Sequence, residues 1–196
     1  MPDSPEEWDV LDWRGQPTGR TVARRYDGDD PASGLRSGES HRVAFLCVFR
    51  QGDGESELLI QRRAATKIGW PGAWDVTAGG SVLAGESSQD GAMRELREEV
   101  GIAVDLSTTR PALTINAPKT VYDVYLVDAP AGLDAATLPL QPDEVDAVAW
   151  ANRASVLEMI GDGRFVAIKP SLIDFLFALH ERPGLQTRSF FTEFDE

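Results

Sequence analysis

The sequence predicts an α/β fold in which a mixed β-sheet is sandwiched between helices. Two observations carry this expectation. Runs rich in β-branched and aromatic residues, such as HRVAFLCVFR (41–50) and KTVYDVYLVDA (119–129), have the composition that packs on a pleated surface. Among and after them lie three helical stretches, SSQDGAMRELREEV, RASVLEMIGDG and PSLIDFLFALHER, without the regular strand–helix alternation of a purely parallel sheet.

Length and composition bound the function. A chain of 196 residues is long enough for one well-buried core and short for two, so residues 1–196 are expected to form a single domain. Within it, 1–40 is an N-terminal hairpin and loop extension, 41–182 the core and 183–196 a tail. A net charge of −13 argues against nucleic-acid or anionic-membrane binding, both of which need a basic field. A small anionic substrate then requires a cation to mediate its binding. The single cysteine, Cys47, forms no internal disulfide, and the longest apolar run, VAFLCVF, is too short to span a bilayer. With no basic-then-apolar leader in MPDSPEEWDV, the expected location is cytoplasmic.

In chain order, EEWDVLDWRGQPTGRTVARRYD (6–27) pairs two strands about a turn at Arg14–Pro17. DGDDPASGLRSGES (27–40) is a surface loop by its Gly, Ser, Asp and Pro content. Strands follow at 41–50 and 57–63, joined by the turn sequence QGDGES, and at 73–79. A helix opens at Ser87 or Ser88, runs to Val100 and stops at Gly101. Strands at 119–129 and 144–151 and two C-terminal helices complete the chain.

The stretch GGSVLAGESSQDGAMRELREEVGI (79–102) crowds Glu95, Glu98 and Glu99 onto one helix. Positions three and four apart share a side of a helix, and like charges there repel by a few tenths of a kcal/mol. Ala92, Met93, Leu96 and Val100 make a separate apolar stripe that pins the helix to the sheet. Converging carboxylates of this kind suit Mg²⁺ or Mn²⁺, which remove the repulsion and favour hard oxygen ligands. The rival reading is a solvated acidic face with an Arg94–Glu98 ion pair.

The same stretch resembles the signature of the Nudix hydrolases. Gly80, Glu86, Arg94, Glu95, Leu96, Glu98, Glu99, Gly101 and Ile102 fill every specified position of that motif. The resemblance implies a Nudix fold and a loop–helix–loop site that hydrolyses a diphosphate linked to another group, usually with Mg²⁺. It implies that Glu98 and Glu99 are the main metal ligands and that Glu95 is a further ligand or the base that orients water. Arg94 is expected to hold a glutamate, Glu86 to brace the loop, and a carbonyl at Gly79 or Gly80 to face the metal. Glu144 lies where the family often places an additional catalytic or metal carboxylate.

A narrower resemblance joins QRRAATKIGWPGAWDVTAGG and HRVAFLCVF to the isopentenyl-diphosphate isomerase branch of the Nudix fold. Arg62, Arg63, Lys67 and Trp70–Gly72 match there, and His41 falls at one metal histidine. The isomerase's catalytic cysteine position is Gly79, its second histidine position Ser81, and two later acidic positions fall near Pro118 and Thr120. These departures favour a hydrolase over an isomerase. A non-catalytic Nudix-fold binding or regulatory protein is a further alternative, and the retention of every box glutamate speaks against it.

Arg63 and Lys67 are candidates to grip substrate phosphates, and Trp70 to stack on the substrate. Trp74 and Cys47 are expected in the core, and His180 at a favourable helix C-terminus. The aromatic tail RSFFTEFDE is expected to pack back on the domain or on a partner copy, so a homodimer is possible on this reading.

Overall fold

The computed structural model describes residues 6–24 and 34–182. At its centre β3 (His41–Gln51) and β8 (Thr120–Asp128) run parallel, in register from His41–Thr120 to Phe49–Asp128. They belong to a seven-stranded sheet in which β5 (Trp74–Asp75), β4 (Ser56–Arg63), β3, β8 and β7 (Leu113–Ala117) are neighbours in that order, with β6 (Ala78–Ser81) also pairing β3 and β9 (Val145–Asn152) also pairing β4. One edge of β3 is shared. Its Phe49–Gln51 end pairs with β4 (Ser56–Arg63), while Val43–Leu46 pairs with β6 (Ala78–Ser81). β4 diverges to join β5 (Trp74–Asp75) and β9 (Val145–Asn152).

The single strand expected at 73–79 is therefore two strands on different partners. Thr77 explains the division. Fully buried between β3 and β4, its hydroxyl donates to Leu59 O (2.5 Å) and accepts from Val48 N (2.8 Å). A side chain thus supplies the ladder bonds where the two backbones part.

β7 (Leu113–Ala117), absent from the sequence expectation, pairs with β8 through a turn at Pro118 and Lys119. Lys119 takes φ 62°, a left-handed backbone usually left to Gly or Asn, so the hairpin carries an ordinary turn residue at Pro118 but not at the position that follows. A short 3₁₀ helix at Ala135–Thr137, capped by Asp134, is likewise additional.

Helices cover both faces. α1 (Ser88–Val100) starts in a capping box in which Ser87 and Asp90 exchange hydrogen bonds, and it ends on left-handed Gly101. A side chain at Gly101 would also strike Pro139, at 2.4 Å from its Cγ. Ala92, Leu96 and Val100 of α1 bury against Ala44, Leu46 and Ala78 of the sheet. On the opposite face α2 (Arg153–Gly161) and α3 (Pro170–Glu181) enclose Phe49, Ile60, Val156, Ile173 and Phe177. Each such fully buried aliphatic or aromatic side chain contributes about 1.5–3 kcal/mol relative to exposure. Cys47 lies in this second core, and Trp74 packs at its margin.

The N-terminal strands β1 (Glu7–Leu11) and β2 (Pro17–Ala23) form a separate antiparallel hairpin. Trp8 and Val10 bury with Leu35 and pack on Val22 and Leu83. Residues 25–33 of the expected hairpin and loop, and the aromatic tail, lie outside the described residues. Among the described residues, no helix is long and apolar enough to cross a membrane.

Candidate active site

The end of α1, the β6 backbone and the residues leading into β9 enclose a cavity of about 200 Å³. Its walls carry Glu95, Glu98, Glu99 and Glu144, with Lys67, Arg94, Gly79 and Gly80 among them. The three α1 glutamates do not share one environment. Glu99 faces the sheet and is 6% exposed, whereas the Glu98 side chain is half exposed and Glu95 lies between, against Gly80. Among the described residues no three His, Cys, Asp or Glu side chains draw close enough to cage an ion by themselves. Two of the protein's own cations, Arg94 and Lys67, pair with three of these four carboxylates.

Arg94 is the main one. Its Nε and Nη2 donate to the two oxygens of Glu86 at 2.8 and 2.9 Å, a bidentate fork, and Nη2 also reaches Ser81 O at 3.0 Å. Nη1 meets Glu95 at 2.7 Å and Glu98 at 3.4 Å. Glu86 in turn accepts from Leu83 N at 2.9 Å, which ties the loop before α1 to the helix. The Arg94 hydrogen bond lowers the Glu86 pKa, and Glu86 raises that of Arg94 still further above its ordinary value.

Burial raises the pKa of Glu95 against the opposing pull of Arg94. Glu99 is pushed up to about 8, first by burial and then by the charge of Glu95, with a contribution from Glu144. Hydrogen bonds from Gln61 Nε2 (2.9 Å) and Gly79 N (3.3 Å) oppose that rise. Carboxylates that burial and mutual repulsion drive towards protonation make a site in which a cation lowers the free energy. Glycine is needed beside them: a Cβ at Gly80 would sit 2.2 Å from Glu95 Oε1.

Glu144 reaches the cavity from outside α1 and pairs with Lys67 Nζ. Arg63 takes a different place. Its Nε donates to Gly69 O at 2.9 Å and its Nη1 meets Asp75 at 3.3 Å, so the guanidinium clasps the 64–73 loop. Trp70, on that loop, is 55% exposed in a left-handed backbone (φ 54°). His41 is buried and stacks on Trp8 at 4.0 Å, away from the cavity walls, and burial lowers its pKa to about 4. His180 stacks on Phe49 and meets Asp128 at 2.9 Å.

Sequence reasoning missed Glu6, Arg24, Gln61 and Gln141. Glu6, Arg24 and Gln141 line the cavity, and Gln61 supports Glu99 from behind. Gln61 carried a signal, a lone amide in the buried run LLIQ of β4. Glu6 and Arg24 had none, because only the folded hairpin brings them together.

A family model described as the NUDIX domain matches residues 40–169. The chain is 35% identical over 161 residues to an uncharacterised Nudix hydrolase of Listeria monocytogenes, covering 82% of this chain and 88% of that protein. It is 29% identical over 175 residues to an isopentenyl-diphosphate Delta-isomerase of Corynebacterium diphtheriae, covering 85% and 89%. The crystal structure of DR0079 from Deinococcus radiodurans matches with a TM-score of 0.63 at 26% identity, over 87% of this chain and 97% of that one. With the family model spanning most of the chain and the Listeria protein matched over most of its length, this chain belongs to the Nudix family and is a Nudix hydrolase.

Proposed function

We propose that the enzyme hydrolyses a diphosphate linked to another moiety, such as a nucleoside diphosphate derivative, by attack of water at phosphorus with Mg²⁺ or Mn²⁺. The observation that carries this reading is the meeting of Glu95, Glu98, Glu99 and Glu144 on one cavity. The donor set fits such an ion: all four are hard oxygen ligands, and burial raises the pKa of two of them. Glu98 and Glu99 would hold it, with Glu95, Glu144 and a Gly80 carbonyl as further ligands. A bound divalent ion supplies neutralisation of the diphosphate oxygens and makes water more acidic.

The remaining work belongs to the chain. Arg94 fixes Glu95 and, through Glu86, the loop before α1. Gln61 and Gly79 N orient Glu99. The bond from water to phosphorus forms as the bond to the bridging oxygen breaks. A carboxylate of the cluster takes the water proton, and the bridging oxygen leaves on the product. Lys67, on the wall, would contact substrate phosphate on releasing Glu144, and Trp70, exposed three residues further along the same loop, would cover the non-phosphate moiety. The single cysteine, Cys47, buried and free, fits the reducing setting of a cytoplasm.

The test is a panel of nucleoside diphosphate derivatives, dinucleotides and prenyl diphosphates in ¹⁸O-water with Mg²⁺. Glu98→Gln and Glu99→Gln should each reduce turnover by about a hundredfold, with label entering a phosphate product of the parent. Equal turnover by parent and variants would overturn the assignment of the site. The Corynebacterium relative motivates a second reading, isomerisation of isopentenyl diphosphate without phosphate release. Cys47 is fully buried with its thiol pKa raised by burial, so no exposed thiol is present for that chemistry among the described residues.

A further inference from the structure

The β1–β2 hairpin precedes the residues matched by the family model, 40–169, yet it is fastened to the loop that leads into α1. Ala84 N donates to Glu7 O at 2.8 Å and Gly85 N to Asp9 Oδ2 at 2.9 Å. Trp8 packs in the cluster that includes Leu83 and stacks on His41 at the start of β3. The hairpin is therefore held in a fixed relation to the catalytic helix and sheet.

Its open end reaches the cavity. Arg24 N donates to Glu6 O at 2.7 Å, the Arg24 guanidinium meets the Glu6 carboxylate at 2.6 Å, and both residues line the cavity beside Glu95, Glu98 and Glu99. Among the described residues three cations stand on these walls. Arg94 is committed to Glu86, Ser81 and Glu95 in a largely buried fork, and Lys67 holds Glu144. The carboxylate facing Arg24 is of another kind: the Glu6 side chain is 47% exposed, and ion pairs open to solvent contribute little net stability. A phosphate oxygen exchanges with such a partner at small cost and regains a charge-assisted, planar contact suited to guanidinium.

We propose that Arg24 is a substrate-binding residue that exchanges Glu6 for an oxygen of the bound diphosphate, which makes the hairpin a specificity-determining part of the active site. This rests on the hydrolase reading above. The full chain, Arg24→Ala, Arg24→Lys and Glu6→Gln are compared in two measurements. One is KM and kcat on the best substrate of the panel. The other is the dissociation constant of imidodiphosphate, a diphosphate that resists hydrolysis, by calorimetry with Mg²⁺.

Arg24→Ala should raise KM and the dissociation constant about tenfold, with kcat within about twofold. Arg24→Lys should recover part of the loss, and Glu6→Gln, which removes the competing carboxylate, should shift both constants the opposite way. If Arg24→Ala does not fold, the Glu6→Gln shift decides alone. A parent that turns over substrate while these variants leave KM and imidodiphosphate affinity unchanged overturns the role of Arg24 and leaves the hydrolase reading standing. A parent that neither turns over any panel member nor binds imidodiphosphate overturns both.

Discussion

Gln61 Nε2 donates to Glu99 Oε2 over 2.9 Å, across the seam between β4 and α1, with the two residues 3% and 6% exposed. Gly79 N reaches the same oxygen at 3.3 Å. Both donors therefore engage Oε2, and the carboxylate is oriented from the protein side before anything enters the cavity. An amide suits this task because it donates without adding charge to a cluster already crowded with carboxylates.

If Glu99 holds the cation as proposed, removing that donor should weaken its grip. In Gln61→Leu the Mg²⁺ concentration for half-maximal activity should rise by about tenfold or more, the usual cost of losing a group that orients a ligand. Initial rates across a Mg²⁺ titration measure it. An unchanged half-saturation point would show that Glu99 needs no support from β4.

Gly80→Ala isolates geometry from stability. The new methyl would overlap the Glu95 carboxylate, with 2.2 Å to Oε1, and a flexible side-chain end gives way more cheaply than backbone. The urea midpoint should therefore correspond to a loss of less than about 1 kcal/mol. Turnover should fall about a hundredfold, the scale of a roughly 1 Å misplacement of a reacting group. Coincident, proportionate losses in both measurements would instead mark Gly80 as a folding residue alone.

The α1 region was legible in sequence because its information is local: spacing, a Ser cap, a Gly stop and an apolar stripe all lie within the stretch 79–102. Strands β3, β4, β8 and β9 were legible for the same reason, from local apolar, β-branched and aromatic runs. What escaped depends on distant partners. The break between β5 and β6 is set by Thr77 reaching both β3 and β4, and β7 turns on a lysine in a backbone that glycine usually occupies. In the site, Glu144 came only through family likeness, and Glu6 and Arg24 reach the cavity from a hairpin that the motif does not include.

His41 makes stability depend on pH in a direction fixed by its burial. Its folded pKa is lowered to about 4 from 6.5, chiefly by desolvation, with Arg24 adding to the effect and a backbone contact at Arg42 opposing it. Between those values the unfolded chain binds a proton that the folded one refuses. The stabilisation is thus complete above pH 6.5 and is lost as pH falls towards 4, by at most about 3 kcal/mol. Asp75 acts with the opposite sign: burial raises its folded pKa to about 6, so the fold gains stability from it as pH falls through 6. Comparing the parent with His41→Phe by urea unfolding from pH 7 to 4.5 separates the two. The variant should lose less stability over that range, and identical slopes would exclude His41 as the origin.

Trp70 combines a strained backbone with an exposed indole. Its left-handed backbone costs a non-glycine residue about 1–2 kcal/mol. The conformation persists because Gly72 N donates to Arg63 O, Ala73 N to Trp70 O, and Arg63 Nε to Gly69 O. Ile68, 77% exposed on the same loop, and Lys67 on the cavity wall place this strained, apolar surface next to the site. Trp70→Gly should relieve the strain and, after the entropy that glycine adds to the unfolded chain, stabilise the fold by roughly 0.5–1 kcal/mol. The same variant should raise KM about tenfold if the indole covers a nucleobase or similar group, since such stacking contributes about 1–3 kcal/mol. Calorimetric melting and steady-state kinetics on one preparation read both quantities. A lower midpoint would show that the loop needs the indole for its own packing, and an unchanged KM would remove Trp70 from the substrate surface.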